Sequence, residues 1–532
     1  VWTQQIDPLD NLLLSGLVAA LPIFVFLLCL VLLKLTGLKA GLIALAVEVT
    51  VALAVFGMPV RAAAGAALGG ALTALWPIAY IIVMAVWLYR ISVVSGRFDV
   101  IRASISAVSA DQRIQVLLIA FAFGAFLEGA AGFGVPIAIC AALLVQLGFG
   151  PVRAAMIALV GNVAAGAYGA IGVPVLVGAQ ITGMEVLDLS RALVLVLQPL
   201  TLLVPFLLVM IIDGVRGLRE TLPATLTVTL VFSAVQAGTL WFLGPELADL
   251  GAGLSAMLAL MALCRVWSPR RTYREGDSAP AAMGPPTAKQ VLVAWSPFYI
   301  LTGFILVWSI PPVKELFSSG ALAVTTLALP IPGVTGQITT AAGTAVETTW
   351  NLSILGATGT AILLAVLTSF FTTPQVDARA LFGELRATFT MLSGAIVLIT
   401  VILVLANIAN YSGGSNAMGT ALAGTGPVFP LIAPIIGWIG VFLTGSVVNN
   451  NTLFAPLQVA TAQGIQADPA LLVGANTAGG TTAKVISPQS IAIAAGAVGL
   501  NGRESEIMRA SIGYSLAMLA VICSWNFILA LL

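Results

Sequence analysis

Apolar runs dominate the pattern of positions along this chain. At Leu12–Leu33, Arg191–Ile212, Leu222–Leu243 and Met508–Leu531 they reach the ~18–20 residues that a helix needs to cross hydrocarbon. Hydrophobic and polar residues do not alternate as in a membrane barrel, so the runs predict helices. Others are predicted near Gly41–Phe56, Leu75–Val94, Arg113–Leu127, Gly134–Leu147, Ala154–Val177, Gly251–Val266, Val291–Ile310, Leu352–Thr372, Thr388–Asn410, Pro427–Leu443, Thr452–Gln463 and Pro469–Ala495. Two neighbouring pairs of runs are too short to be ordinary spans, and a turn joins each pair, at Gly129–Gly134 and Gly445–Asn451. Exposed non-helical backbone is prohibitive in hydrocarbon, so these turns must be buried in protein or line a cavity. They predict two re-entrant hairpins, about 113–147 and 427–463, each followed by a broken helix, about 154–177 and 469–495.

The basic residues set the expected topology. With the loop of Arg265, Arg270, Arg271, Arg274 and Lys289 placed in the cytoplasm, only Arg61, Arg191 and Lys314 of the 22 basic residues fall outside, and Lys484 lies within the membrane. That asymmetry follows the positive-inside rule. It divides the chain into an N-terminal half (1–266), a cytoplasmic linker (267–290) and a C-terminal half (291–532), with both termini periplasmic. The polar Val1–Asp10 stretch has no basic n-region, so the first apolar run is expected to be a span rather than a cleaved signal.

An internal repeat relates the halves. Gly124-Ala125-Phe126-Leu127-Glu128-Gly129 recurs as Gly440-Val441-Phe442-Leu443-Thr444-Gly445. Gly148 follows Gly124 at the interval by which Gly464 follows Gly440, and Pro174 follows Asn162 as Pro488 follows Asn476. In the expected topology the two hairpins enter from opposite sides, which predicts an all-α, inverted-repeat membrane protein of the secondary-transporter kind, with a binding site near the midplane.

Composition narrows the chemistry. The chain is 60% hydrophobic and 8% charged, far from the usage of a soluble domain. A net charge of +1 gives no reason to expect a nucleic-acid partner. With no histidine, a histidine triad, a His-ligated zinc site and a His-borne proton relay are excluded, and proton chemistry falls to carboxylates. Cys29, Cys140, Cys264 and Cys523 lack metal-ligand spacing, and no metal or cofactor is expected.

Glu128, set in an apolar hairpin, is the candidate proton carrier; anchoring the hairpin is its plainer reading. Lys484 is the one basic residue inside a predicted span and is expected to pair with a substrate carboxylate or with Glu128. The segments Asn162–Pro174 and Asn476–Ser490 are rich in glycine, proline and hydroxyls, so unwound backbone there can meet an anion; close helix packing is the alternative. The candidate binding set is Gly129, Gly132, Asn162, Tyr168, Ser446, Asn449, Asn450, Asn451, Asn476, Thr477, Thr481, Lys484, Ser487 and Gln489. For Asn449–Asn451, turn chemistry is the dull reading. Glu48 is expected to pack in a scaffold, and Glu347 to lie in an external loop or amphipathic segment.

At these residues the sequence resembles the bacterial L-lactate permease family, which includes glycolate permeases. The resemblance is carried by Gly124–Pro136, Ala167–Pro174, Asp213–Glu220, Phe242–Glu246, Ala294–Phe298, Asn410–Gly413, Gly440–Ser446 and Ala475–Ile491, and it extends from Trp2 to the last span. It implies an inner-membrane symporter that imports lactate or glycolate with protons, and hairpin domains that move against a scaffold in an elevator fashion. Carriage of another organic anion, with sodium as the coupling ion, is the alternative. Two departures stand out. Val447 occupies a position where the family commonly has aspartate, and Val163, Ala165 and Gly166 replace the more usual Thr, Pro and Val. Coupling is therefore expected to lean on Glu128.

Overall fold

The computed structural model describes residues 1–275, 286–341 and 343–532; the middle of the predicted linker, 276–285, lies outside them. Among the described residues, eleven helices are long and apolar enough to cross a membrane. Their packing follows from where small residues fall. Helix Val60–Thr73, not anticipated because its run of Ala and Gly is only mildly apolar, lies against Ala378–Ser412. A side chain on Gly70 would collide with the Leu403 carbonyl, and one on Gly65 with that of Pro332. Small residues let helix backbones approach closely where apolar solvation cannot drive association. The helix breaks at Trp76, whose backbone is extended, and a second helix follows through Tyr80–Val94, which packs with Ala288–Ser309 and Thr358–Phe371.

The segment between Pro311 and Thr358 departs from an all-helical reading. Thr326–Pro330 pairs antiparallel with Thr349–Ser353, and Trp2–Thr3 pairs parallel with Ile338–Thr339. These short, Thr-rich strands place the N-terminus against the loop that carries Glu347.

Both predicted hairpins fold as two helices joined by a tight turn. The first runs down Gln112–Ala130 and returns along Val135–Gln146; the second runs down Phe429–Thr444 and returns along Val447–Ile465. In the first, Gly132, Phe133 and Gly134 all adopt positive φ. The second turn is narrower than expected, because Gly445 takes the left-handed conformation and extended Ser446 caps the return helix through Asn449 N–H. Asn449, Asn450 and Asn451 are consequently helical, not turn residues. The apolar window of Gln112–Ala130 is entirely buried in protein, whereas that of Leu12–Leu30 is 33% buried.

The segments after the hairpins differ from each other. Helix Pro151–Gly161 ends at Asn162, turns fill the stretch to Tyr168, and Ala170, Ile171 and Gly172 are left-handed before the helix resumes. The second segment is helical through Pro469–Lys484 and breaks only at Val485–Ser487, before Pro488–Val498. The expectation that Asn476–Ser490 is equally interrupted is corrected here. Gly479 serves packing, since a side chain on it would strike the Pro434 carbonyl, and Gly437 opposite would strike that of Asn476. The two helices thus touch backbone to backbone.

A charge cluster, also not anticipated, ties the base of the first hairpin to the rest. Fully buried Arg113 donates to Asp111, to Asp213 Oδ2 at 2.9 Å and to Glu220 Oε2 at 2.7 Å, while Arg271 shares both of the latter carboxylates. A buried guanidinium demands such partners, and its planar fork can serve three carboxylates at once.

Candidate functional site

The two hairpin tips meet. A side chain on Gly134 would enter Ile493, and one on Gly445 would strike the Gln489 amide, so both tips close on helix Pro488–Val498. Between them lies a cavity of about 110 Å³. It is far smaller than the ~300–1,000 Å³ of drug-sized sites, which suits a ligand of a few heavy atoms. Its walls come from the tips, from the left-handed turn after Tyr168, from Lys484 and from Ala395, Leu398 and Ile399 of the long helix Ala378–Ser412. Among the described residues that line it, Glu128 and Lys484 are the only charged ones.

These two form an ion pair, Lys484 Nζ donating to Glu128 Oε1 at 2.7 Å. Asn162 closes a ring: its Nδ2 donates to Glu128 Oε2 at 2.9 Å, and its Oδ1 accepts from Lys484 Nζ at 3.0 Å. The chain break explains the geometry. Asn162 ends its helix and turns back toward the hairpin, and Gly169 has no Cβ where one would overlap Glu128 Oε1. An ammonium has three donors; two are spent in the ring. On the opposite wall, Asn449 presents a buried Oδ1 without a partner.

The candidate binding residues separate into layers. Glu128, Gly132, Ser446, Asn449, Lys484 and Gln489 line the cavity. Asn162 stands behind it in the ring. Gly129 and Tyr168 are buried and do not line it; Gly129 packs on Asp249. Asn450, Asn451, Asn476 and Thr477 form a buried network in which Asn451 Oδ1 accepts from Asn476 and Thr477, while its Nδ2 donates to the Pro174 carbonyl at 2.9 Å. That network binds the second hairpin to both post-hairpin segments. Thr481 bonds its own helix, and Ser487 caps the helix that begins at Pro488. Val447 lines the cavity in an apolar cluster with Val441 and Ala483, so no second carboxylate stands opposite Glu128. Glu48 is buried in its helix, away from this cavity.

Sequence reasoning passed over Asp249 and Gln236. Asp249 is buried one residue into helix Ala248–Val266 and accepts from Gln236 Nε2 at 3.1 Å. A carboxyl flanked by apolar residues at the start of a predicted span was a signal available in the sequence.

Eleven membrane-length helices around a small cavity that holds one ion pair define a multi-pass membrane protein. The chain belongs to the L-lactate permease family: the family model of that description matches residues 15–532. It is 45% identical to an L-lactate permease of Halalkalibacterium halodurans over 99% of both chains. It is 43% identical to the glycolate permease GlcA of Escherichia coli over 98% of this chain and 96% of that one. Against the E. coli L-lactate permease the identity is 43%, over 98% and 97% of the two chains. Among solved structures, the Alcanivorax borkumensis YdaH transporter aligns with a TM-score of 0.46 and 16% identity, covering 88% of this chain and 86% of that one.

Proposed function

We propose that this protein carries a small 2-hydroxymonocarboxylate, such as lactate or glycolate, across the bacterial inner membrane together with a proton. The observation that carries the reading is the single ion pair in the cavity, Lys484 against Glu128 at 2.7 Å. An incoming carboxylate and Glu128 compete for the same ammonium. If Glu128 stays ionised, two negative charges face one positive in a site shielded from water, a like-charge penalty. If Glu128 takes up a proton, it releases Lys484 and the substrate carboxylate replaces it. The site is neutral before, as the pair, and neutral after, as a neutral acid plus a lysine–carboxylate pair. Proton and anion therefore enter together. The unpartnered Asn449 Oδ1, on a residue that lines the cavity, accepts the 2-hydroxyl. Relatives named for lactate and glycolate support this substrate class.

The hairpins and post-hairpin segments act, on this reading, as inverted copies of one unit. They form the moving part and shift against a scaffold that includes Gly37–Ala54, Val60–Val94 and Ala378–Ser412, with both termini on the outer side. In proteoliposomes an inward proton gradient should accelerate lactate or glycolate uptake, and exchanging sodium for choline at fixed pH should leave it unchanged. Undiminished acceleration in Glu128→Gln, or uptake driven by sodium alone, overturns the proposal.

A further inference from the structure

Asp249 is 1% exposed, and its Oδ2 has no hydrogen-bond partner. Its Oδ1 meets a single neutral donor, Gln236 Nε2, which also donates to the Ala164 carbonyl in the unwound stretch. Among the described residues no Lys or Arg forms an ion pair with it, in contrast to Glu128. A carboxyl so placed is costly to charge, and a proton removes the cost. Its position relative to Glu128 is specific. Gly129, the residue after Glu128, lies where a Cβ would approach Asp249 Cβ to 2.8 Å. Gly169, the residue after Tyr168, lies against Glu128 Oε1. Glu128 lines the cavity, and Asp249 packs against the very next residue of the same hairpin without lining it.

The elements packed on Asp249 contribute few charges. Leu222–Phe242 and Leu117–Phe123 carry none, the hairpin contributes Glu128, the turn contributes Tyr168, and Lys484 acts from across the site. Asp249 also lies at the end of its helix away from Arg265 and the Arg113–Glu220–Arg271 cluster, one turn after half-buried Glu246. In the topology set by the basic residues, that end faces outside.

We propose that Asp249 is the relay through which the proton reaches Glu128 from the outer side. The proton leaves an Asp249 oxygen, and one bridging hydroxyl or water accepts it while releasing its own to a Glu128 oxygen. Glu128 becomes neutral and frees Lys484; Asp249, now anionic, is reprotonated from outside, so that one proton has moved and no other bond has changed. This inference rests on the proton-coupled reading above, and the test separates the two.

A relay sets the rate of proton delivery and leaves the equilibrium untouched. In Asp249→Asn, substrate affinity and its dependence on pH should match the wild type, and lactate counterflow, which needs no proton release, should persist. Net uptake driven by a proton gradient should fall about 100-fold, the lower end of what a positioned proton donor contributes. Asp249→Glu, which restores a carboxyl, should recover part of the net uptake. If net uptake in Asp249→Asn equals the wild type, or if counterflow and net uptake fall together in both variants, Asp249 is no relay. A wild type whose binding and uptake ignore pH overturns the coupled reading itself, and with it this one.

Discussion

Replacing Glu128 by Gln leaves a neutral amide of nearly the same shape beside Lys484 and so mimics the protonated acid permanently. The magnitude follows from what the wild-type pair must give up. An anion that binds without a proton has to displace the 2.7 Å charged hydrogen bond between Lys484 and Glu128. Hydrogen bonds to charged groups are worth ~1.5–3 kcal/mol net. At 1.4 kcal/mol per tenfold, that is a coupling of about 10- to 150-fold between proton and anion. Between the protonation step of the empty protein and that of the loaded one, lactate affinity of the wild type should fall by at most about 3- to 7-fold per pH unit, the steepest slope a coupling of that size allows. The fall should level off about 10- to 150-fold below its low-pH value. The sign is fixed: raising pH weakens binding, because the empty state then holds one proton fewer than the loaded state. Glu128→Gln should bind with an affinity flat in pH and, at alkaline pH, more tightly than the wild type. Isothermal titration calorimetry of lactate on purified protein across a pH series reads both quantities. A Glu128→Gln protein that keeps the wild-type slope refutes the competition for Lys484.

Three further outcomes follow from the same geometry. Lys484→Ala strips the cavity of its one cation and leaves Glu128 uncompensated; lactate and glycolate binding should disappear, and binding of every monocarboxylate undiminished in calorimetry would dismiss the anchor. Arg113→Ala strips buried Asp111 of its cation and leaves Asp213 and Glu220 to Arg271, and a loss of about 3–5 kcal/mol is expected for breaking a buried ion pair, visible as a lower midpoint in chemical denaturation. Gly437→Ala places a methyl against the Asn476 carbonyl; it should lower thermal stability and uptake together, while Gly303→Ala, with open space around its Cβ, should alter neither.

The two helix–turn–helix units were legible because their turns are local. A glycine cluster between two half-length apolar runs has few ways to fold in hydrocarbon, and the intervals shared by Gly124–Pro174 and Gly440–Pro488 were visible without coordinates. Glu128 and Lys484 stood out for the same reason, as charges inside apolar runs. Which partner Lys484 takes was open, because the two residues are remote in the chain and only the packing of the first hairpin against the second post-hairpin segment joins them. The role of the glycines could not be read from spacing. Gly169 makes room for a carboxylate and Gly479 for a neighbouring helix, two demands that look alike in a sequence. Arg113 with Asp213 and Glu220 was hidden because each sits at a span end, where charges are ordinary.

The account turns on one proton entering with each anion. Mixing purified protein with excess lactate in weakly buffered solution, across a pH series, and following a pH indicator counts that proton directly. Net uptake peaking at about 0.5–0.85 proton per bound lactate, the range a 10- to 150-fold coupling allows, is expected, reduced to none in Glu128→Gln. Binding of lactate by the wild type with no change in the indicator would contradict it.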